Sequence, residues 1–258
     1  MTEETDDTQA RKALRSPREK GRVALAADRF QNRWARGFRW VLKKLLFLVL
    51  IFTVLSCLLV VLFRFANPYL TYYYVAERTR LGEVNRDWTP LTGFSPVMAR
   101  SVVAAEDAQF CNHFGFDVAA IKSALKDTKR RRGGSTLSQQ VAKNVFLWQG
   151  RTWVRKGLEV WFTGLIELIW PKRRIVEVYL NVAEFDQGIF GAASAGRHYF
   201  GVEPDRLTAL QAGRLAAVLP SPKKRSASKP TEYIRKRTGQ IIKGAATINA
   251  DGRADCFQ

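Results

Sequence analysis

Histidine and cysteine are scarce in this chain, whose 258 residues include two histidines and three cysteines. Two histidines are too few for a histidine-based metal site, and Cys57, Cys111 and Cys256 lie too far apart for a zinc motif. We expect Cys57 to lie in a membrane and Cys111 to be a buried, inert thiol. Because the cysteine count is odd, a Cys111–Cys256 disulfide is only the alternative.

Acidic residues are few beside basic ones, 23 against 42, so the formal net charge is +19. This charge indicates an anionic partner, and nucleic acid, anionic lipid and a phosphorylated substrate all fit it. A chain of this length can bury one good-sized core with a small lobe attached. Repeats are absent from the sequence and strand signals are sparse, so we predict a mainly α fold.

One long uncharged stretch, residues 45–63, bears on the choice between these partners. As a helix it would cross the hydrocarbon core of a bilayer, which is about 30 Å thick. The basic arm of residues 1–44 precedes it, so we expect that arm in the cytoplasm and the rest of the chain exported. The run is too long and too far from the start for a cleaved signal peptide. A nucleic-acid arm is the competing interpretation.

The residues after this single transmembrane helix divide into three segments. Residues 64–84 are basic and aromatic, as expected of a linker where a helix meets lipid headgroups. Residues 85–240 should form the exported domain, with a helix that begins at Ser95-Pro96. A short helix over residues 233–242 and a loose tail over residues 241–258 complete the prediction.

The first candidate for chemistry is the carboxylate pair Glu106 and Asp107, which follows an apolar run. A carboxylate at the end of a buried helix is partly desolvated, so its pKa rises. A raised pKa suits a glutamate for proton transfer near neutral pH. An ordinary helix end with surface acids is the alternative from these residues alone.

A second candidate is a glycine-rich turn followed by a helix with one polar face. The turn exposes backbone N–H groups, and Ser135 or Thr136 can cap the helix. The polar side chains at three- and four-residue steps are Gln139, Gln140, Lys143 and Asn144. The turn is not a Walker loop, since no Gly-Lys-Ser/Thr follows. With Arg151 nearby, we predict an anion site.

A third candidate is Glu159, on a helix predicted from a broad apolar stripe and ended by Pro171. The plain interpretation is a first-turn acid favoured by the helix dipole and paired with Arg155, four residues before it. Glu167, further along the same helix, is the weaker candidate.

The order of these motifs resembles the peptidoglycan glycosyltransferase family, in particular its monofunctional biosynthetic transglycosylases. The resemblance covers about residues 85–237. The motifs are Glu106-Asp-x-x-Phe-x-x-His113-x-Gly-x-Asp, Gly133-Gly-Ser-Thr-Leu-Ser-Gln-Gln-x-x-Lys143-Asn, Arg155-Lys-x-x-Glu159, Glu177-x-Tyr179-Leu-Asn and Tyr199-Phe-Gly. One of two departures from the family pattern is Gln211, which replaces a common glutamate; we expect altered packing or an altered supporting hydrogen bond. The other is Cys111, inside the first motif.

This resemblance implies a lysozyme-like, two-lobed helical domain that polymerises lipid II through β-1,4 bonds. The reaction would invert the anomeric carbon and release undecaprenyl diphosphate. Glu106 would be the general base on the acceptor 4-hydroxyl, supported by Asp107 and His113, while Glu159 would act on the donor side. The residues implied for substrate binding are Ser135, Gln140, Lys143, Asn144, Arg151 and Arg155.

The resemblance also implies partners and a location. No cofactor is implied as required, and Mg²⁺ or Mn²⁺ would only stimulate, since the sequence shows no dedicated cage for a metal. The expected partners are lipid II, the growing glycan chain, membrane lipids and other cell-wall synthases, but no nucleic acid. The expected location is the bacterial inner membrane, with a periplasmic catalytic domain.

Two alternatives stay open from the sequence. A membrane-anchored lytic transglycosylase or lysozyme-like muramidase would cleave the same polymer, but a hydrolase has no use for the diphosphate cations Lys143 and Arg151. A non-catalytic anchored scaffold would bind an anionic polymer through its charge alone.

Overall fold

Helices dominate the computed structural model, which describes residues 17–119, 122 and 134–258, with side chains from residue 36 onward. The prediction of a mainly α fold is confirmed for these residues. Residues 1–16 of the basic arm and Gly133 of the predicted glycine-rich turn lie outside the described residues. The chain divides into two units, Met1–Ser56 and Cys57–Gln258.

The described helices are α1 (Pro17–Phe65), α2 (Tyr72–Leu81), α3 (Pro96–Glu106), α4 (Leu137–Phe146), α5 (Trp153–Ile169), α6 (Lys172–Val182), α7 (Ala192–Phe200), α8 (Ala209–Val218) and α9 (Glu232–Ala250). Short 3-10 turns occur at Leu91–Gly93, Phe110–Asn112, Pro204–Arg206 and Pro222–Lys224. The strands are β1 (Asn85–Arg86), β2 (Glu184–Asp186) and β3 (Ile189–Phe190). β3 is central, parallel to β1 and antiparallel to β2.

Helix α1 contains the predicted membrane span. Its part Arg36–Phe65 is long and apolar enough to cross a bilayer, with a mean hydropathy of 3.2 over its most apolar window. Most of the side chains in that part are exposed, as they would be toward lipid. The helix is longer than the predicted span, because it continues through the basic residues toward its start at Pro17.

Side-chain hydrogen bonds connect the last turns of α1, within the second unit, to the residues around the end of α5 and the start of α6. The Trp170 indole donates to the Val60 carbonyl at 2.7 Å, and Arg64 donates to the Ile169 carbonyl at 2.7 Å. Arg174 donates to the carbonyls of Phe63 and Ala66 at 3.1 and 2.8 Å. The carbonyls of Phe63 and Ile169 lie in the last turns of α1 and α5, where helical partners are lacking, and these side chains bind them. The bonds hold the end of the span against the region of α5 and α6.

Two groups of helices form the core of the second unit. Helices α3, α8 and α9 pack against one another, and α4 packs against α5 and α6. In α3, Met98, Val102 and Val103 are fully buried. Their spacing places them on one face of the helix. The packing of that face sets the direction of α3 and therefore the position of Glu106 at its end.

The prediction of a loose C-terminal tail is wrong. Helix α9 runs through residue 240 to Ala250, and beyond it Ala254 and Phe257 are buried. The buried residues of α9 recur at three- and four-residue steps, so the helical pattern in the sequence extends past residue 240. They are Ile234, Thr238, Ile241, Ala245 and Ile248.

The expectation of an inert thiol at Cys111 is also wrong, because Cys111 and Cys256 form a disulfide with a Cα–Cα distance of 5.7 Å. Cys57 is free and lies in the candidate span. The odd count therefore consists of one cysteine in the candidate span and an even pair in the domain.

Gln211 has a local role that explains its departure from the family pattern. Its side-chain oxygen accepts from the Thr208 backbone N–H at 2.9 Å, and the Thr208 hydroxyl accepts from the Gln211 N–H at 3.3 Å. This reciprocal pair is the capping box of α8, in which glutamate and glutamine are interchangeable.

We therefore expect Gln211→Ala to lower the free energy of unfolding by about 1 kcal/mol, because one capping bond is lost. Gln211→Glu should leave it unchanged, since the carboxylate can accept the same bond. Denaturant unfolding followed by circular dichroism in detergent measures both. Equal losses in the two variants would contradict the capping role.

Candidate active site

Glu106 is the last residue of α3 and is partly buried. Its Oε2 accepts a hydrogen bond from Gln140 Nε2 of α4 at 2.9 Å. Gln140 is itself oriented by Tyr179 of α6, whose hydroxyl donates to Gln140 Oε1 at 3.2 Å. Burial raises the pKa of Tyr179 well above its ordinary value, so the hydroxyl stays protonated and donates. A chain of two hydrogen bonds thus holds the carboxylate.

Burial also raises the pKa of Glu106, which is the direction expected from the sequence. The Gln140 hydrogen bond and the charges of Arg237 and Lys143 act in the opposite direction, and Asp107 adds to the rise. Desolvation is the largest effect, so the carboxylate is a stronger base than an exposed glutamate.

Asp107, next in the chain, has both oxygens bound. Oδ1 lies 2.8 Å from His113 Nε2, and Oδ2 accepts from the backbone N–H of Leu137 at 3.0 Å. The second bond places a carboxylate at the N-terminus of α4, where the helix dipole favours it. Thr136 caps the same helix, and its hydroxyl donates to the Gly115 carbonyl at 2.7 Å. The loop after Glu106 is therefore tied to the start of α4.

Lys143 lies one turn beyond Gln140 on α4 and is partly buried. Burial lowers its pKa, with the carboxylates of Glu159 and Glu106 acting against that shift. Among the described residues, no carboxylate lies within ion-pair distance of its amine. Its positive charge is close enough to act on both glutamates and is not neutralised by direct contact with either.

Glu159 on α5 is buried between two cations. Arg155 Nη1 donates to one carboxylate oxygen at 2.6 Å, and Lys156 Nζ donates to the other. Arg155 also donates through Nε to the Gly150 carbonyl at 2.8 Å. The pairing with Arg155 predicted from the four-residue spacing is present, and it is part of a buried cluster with an excess of positive charge.

Glu167, the weaker candidate, belongs to a separate buried network. Its carboxylate accepts from the Ser138 hydroxyl and from Lys172 Nζ, the latter at 2.9 Å. Lys172 also donates to the His113 carbonyl at 2.8 Å and lies over the Phe110 ring. This network joins α4, α5 and the loop after Glu106, which is a structural function.

Several predicted residues are not brought into these contacts. Ser135 and Arg151 are exposed, and Asn144 is buried. Within the part of the chain described here, none of the three forms a hydrogen bond or ion pair with Glu106 or Glu159. No three His, Cys, Asp or Glu side chains of that part group into a metal site, and stimulation by Mg²⁺ or Mn²⁺ stays a prediction.

Two supporting residues were not identified from the sequence. Tyr179 lies in a quoted motif, but its effect on Gln140 depends on the packing of α6 against α4. Arg237 lies in none of the quoted motifs, yet it donates to the Ala105 carbonyl at 3.0 Å beside Glu106. Contacts over such sequence separations have no local signal.

Comparisons with known proteins agree with this geometry. A family model described as transglycosylase matches residues 74–246. A biosynthetic peptidoglycan transglycosylase of Jannaschia sp. (strain CCS1) is 57% identical over 187 residues, which are 72% of this chain and 78% of that protein. The protein of the same name from Caulobacter vibrioides is 46% identical over 225 residues, 86% of this chain and 98% of that protein.

A third relative, a biosynthetic peptidoglycan transglycosylase of Pseudomonas fluorescens (strain SBW25), is 47% identical over 223 residues. That alignment covers 83% of this chain and 93% of the relative. The family model matches well over half of the chain, and it includes all the side chains that surround Glu106 and Glu159. The chain therefore belongs to the transglycosylase family and is a glycosyltransferase.

Proposed function

We propose that this glycosyltransferase polymerises lipid II into β-1,4-linked glycan strands, with inversion at the anomeric carbon and release of undecaprenyl diphosphate. The observation that carries the proposal is the contrast between two glutamates near Lys143. Glu106 has a raised pKa and a neutral hydrogen-bond donor, whereas Glu159 is held by two cations. The relatives are named for peptidoglycan transglycosylation, which agrees with this substrate class.

Glu106 is the general base of the proposed reaction. Among the described residues, Gln140 donates to Oε2 and no group donates to Oε1, which leaves that oxygen able to take a proton. Oε1 removes the proton of the acceptor 4-hydroxyl as its oxygen attacks the anomeric carbon of the donor. The bond from that carbon to the diphosphate oxygen breaks on the opposite face, so the configuration inverts.

The cations of α4 and α5 stabilise the leaving group. Lys143 has no carboxylate in direct contact among the described residues, so its charge is available to a diphosphate. Glu159 acts on the donor side by holding Arg155 and Lys156 in place. A diphosphate leaves without protonation, so fixed positive charge and one base meet the chemical need. Arg151, Ser135 and Asn144 are proposed to contact the same donor.

The proposed location is the outer face of the inner membrane. The candidate span ends next to the catalytic domain, as a lipid-linked substrate requires. The basic arm before it favours a cytoplasmic N-terminus. The Cys111–Cys256 disulfide favours an oxidising compartment for the domain, which supports the periplasm and argues against nucleic acid as a partner. Membrane lipids and other cell-wall synthases remain proposed partners.

Replacement of Glu106 tests the base directly. Glu106→Gln should lower the rate of lipid II polymerisation by about 10²–10⁴-fold, because the amide cannot take a proton. Binding of lipid II should persist. The matched control is Glu83→Gln, an exposed acid, which should behave as the unsubstituted protein. Gel analysis of fluorescent lipid II gives the rate, and long glycan from Glu106→Gln would contradict the proposal, as would solubilisation of finished wall by the unsubstituted protein.

Replacement of Lys143 tests stabilisation of the leaving group. Lys143→Met should lower kcat by about 100-fold, because charge on the departing diphosphate loses a fixed cation that no described carboxylate neutralises by direct contact. Lys143→Arg should retain more of the activity, since it keeps the charge. Lys224→Met, at an exposed lysine, is the control. Single-turnover kinetics measure the effect, and a normal rate for Lys143→Met would overturn this role.

The pH dependence tests the environment of Glu106. Because burial raises its pKa above the ordinary 4.5, kcat/KM should fall as the pH drops through that higher value. Gln140→Met removes a donor that stabilises the charged form, so the acid limb should move to higher pH. Gln187→Met, an exposed position, is the control. An acid limb that stays in place or moves lower would contradict this account.

A further inference from the structure

The last residues of the chain lie beyond the family match, which ends at residue 246. They are nonetheless packed: α9 continues to Ala250, and Ala254 and Phe257 are buried. Ordering a terminal segment costs conformational entropy, so a buried terminus must form compensating contacts. We call residues 247–258 the terminal clasp.

Three contacts join the terminal clasp to the loop that follows Glu106. Cys256 forms the disulfide with Cys111, and Arg253 Nη1 donates to the Ala108 carbonyl at 3.2 Å. The ring of Phe257 lies 6.4 Å from the ring of Phe110. The three contacts fall within five residues of Glu106 along the chain.

Arg253 is held in the orientation that this contact requires. Its Nε and Nη2 donate to the two oxygens of Asp251 at 3.0 and 2.6 Å, which leaves Nη1 for Ala108. The intervening Gly252 has a φ of +78°, a conformation that side chains disfavour, so the turn depends on glycine. The guanidinium is thus a fixed donor, and the clasp has a defined shape.

The opposite side of the loop is tied to α4 through Asp107 and Thr136. Arg237, on α9, binds the Ala105 carbonyl just before Glu106. The loop is therefore restrained from two sides, one formed by the start of α4 and the other by α9 and the terminal clasp. Without the clasp, the backbone from Ala108 to Cys111 would lose its covalent and hydrogen-bonded restraint on one side.

We propose that the terminal clasp positions the general base, with Cys256, Arg253 and Phe257 as positioning residues that act through the loop after Glu106. The inference rests on the proposed role of Glu106 as the base. A base acts only when its oxygen is held within hydrogen-bond reach of the proton it removes, and small displacements at such a site are costly. The disulfide makes this positioning covalent.

The disulfide can be opened without changing any residue. Cys111 and Cys256 are both partly exposed, so a dithiol can reach the bond. Two electrons from the dithiol reduce it, which yields two cysteine thiols and one oxidised cyclic disulfide of the reagent. The Cys57→Ser background removes the third cysteine, so that thiol labelling then reports this pair alone.

The test compares three samples in that background: oxidised, reduced with dithiothreitol, and reoxidised, together with Cys111→Ser/Cys256→Ser. Polymerisation of lipid II is measured below the unfolding temperature of each sample. We expect kcat to fall on the order of 10-fold on reduction or substitution, with KM changed little, because binding groups stay in place and the base is misplaced. Reoxidation should restore kcat in the reduced sample.

A pH profile separates positioning from general stabilisation. The groups around Glu106 are Gln140, Asp107, Lys143, Arg237 and Tyr179. None of them belongs to the clasp, so its loss should act on Glu106 by admitting water. Lower desolvation should lower the pKa of Glu106, and the acid limb of kcat/KM should move to lower pH.

Substitutions of the arginine refine the assignment with the disulfide intact. Arg253→Gln should lower kcat by a smaller factor, about 3-fold, and Arg253→Lys should restore part of it, since an ammonium group can still donate to a carbonyl. The matched control is Arg235→Gln, at an exposed arginine whose Nη1 donates to the Pro230 carbonyl at 2.8 Å, outside both the loop and the clasp. That variant should leave kcat unchanged.

Unchanged kcat and an unchanged acid limb in the disulfide-free protein would overturn the inference, even if its melting temperature falls. An inactive Glu106→Gln alongside such a result would leave the proposed function standing. An active Glu106→Gln would instead remove the proposed function, and this inference with it.

Discussion

The site depends on one constraint at Glu106. Its carboxylate is desolvated enough to have a raised pKa, and no described cation neutralises it through a direct ion pair. A buried carboxylate without partners would be protonated, and one in a direct ion pair would be a weak base. Glu106 lies between these limits, because its one direct partner among the described side chains is the neutral amide of Gln140. The nearby guanidinium of Arg237 binds a backbone carbonyl instead of the carboxylate.

The other buried acids around the site show the contrast. Glu159 has two cations, Glu167 has Lys172 and a hydroxyl, and Asp107 has a histidine and a backbone amide. Because their environments differ, carboxylates of the same chemical type can have different roles. Lys143 is the counterpart on the cationic side, since burial lowers its pKa and no described carboxylate contacts it. In the proposed reaction, Glu106 as the base and Lys143 as the cation would each be available to substrate.

The parts of this arrangement that arise from local sequence could be predicted. The α3 helix starts at Pro96, and the pairing of Arg155 with Glu159 follows from a four-residue spacing. The Tyr179–Gln140 bond and the Cys111–Cys256 disulfide join residues far apart in sequence, so no periodicity reveals them. The odd cysteine count made the disulfide look improbable, because it combined Cys57 of the candidate span with the pair in the domain. The roles assigned to Ser135, Asn144 and Arg151 stay predictions.

The restraints on the two glutamates originate at different parts of the chain. Glu159 lies on α5, whose end binds the last turns of the candidate span through Arg64, with Trp170 just beyond. Glu106 lies on α3, which packs against α8 and α9. The Arg64 bond to the Ile169 carbonyl therefore places the end of α5 beside the end of the span. In the proposed function, a donor attached to lipid would meet α5 beside the end of the span, and the acceptor hydroxyl would meet Glu106 at the end of α3.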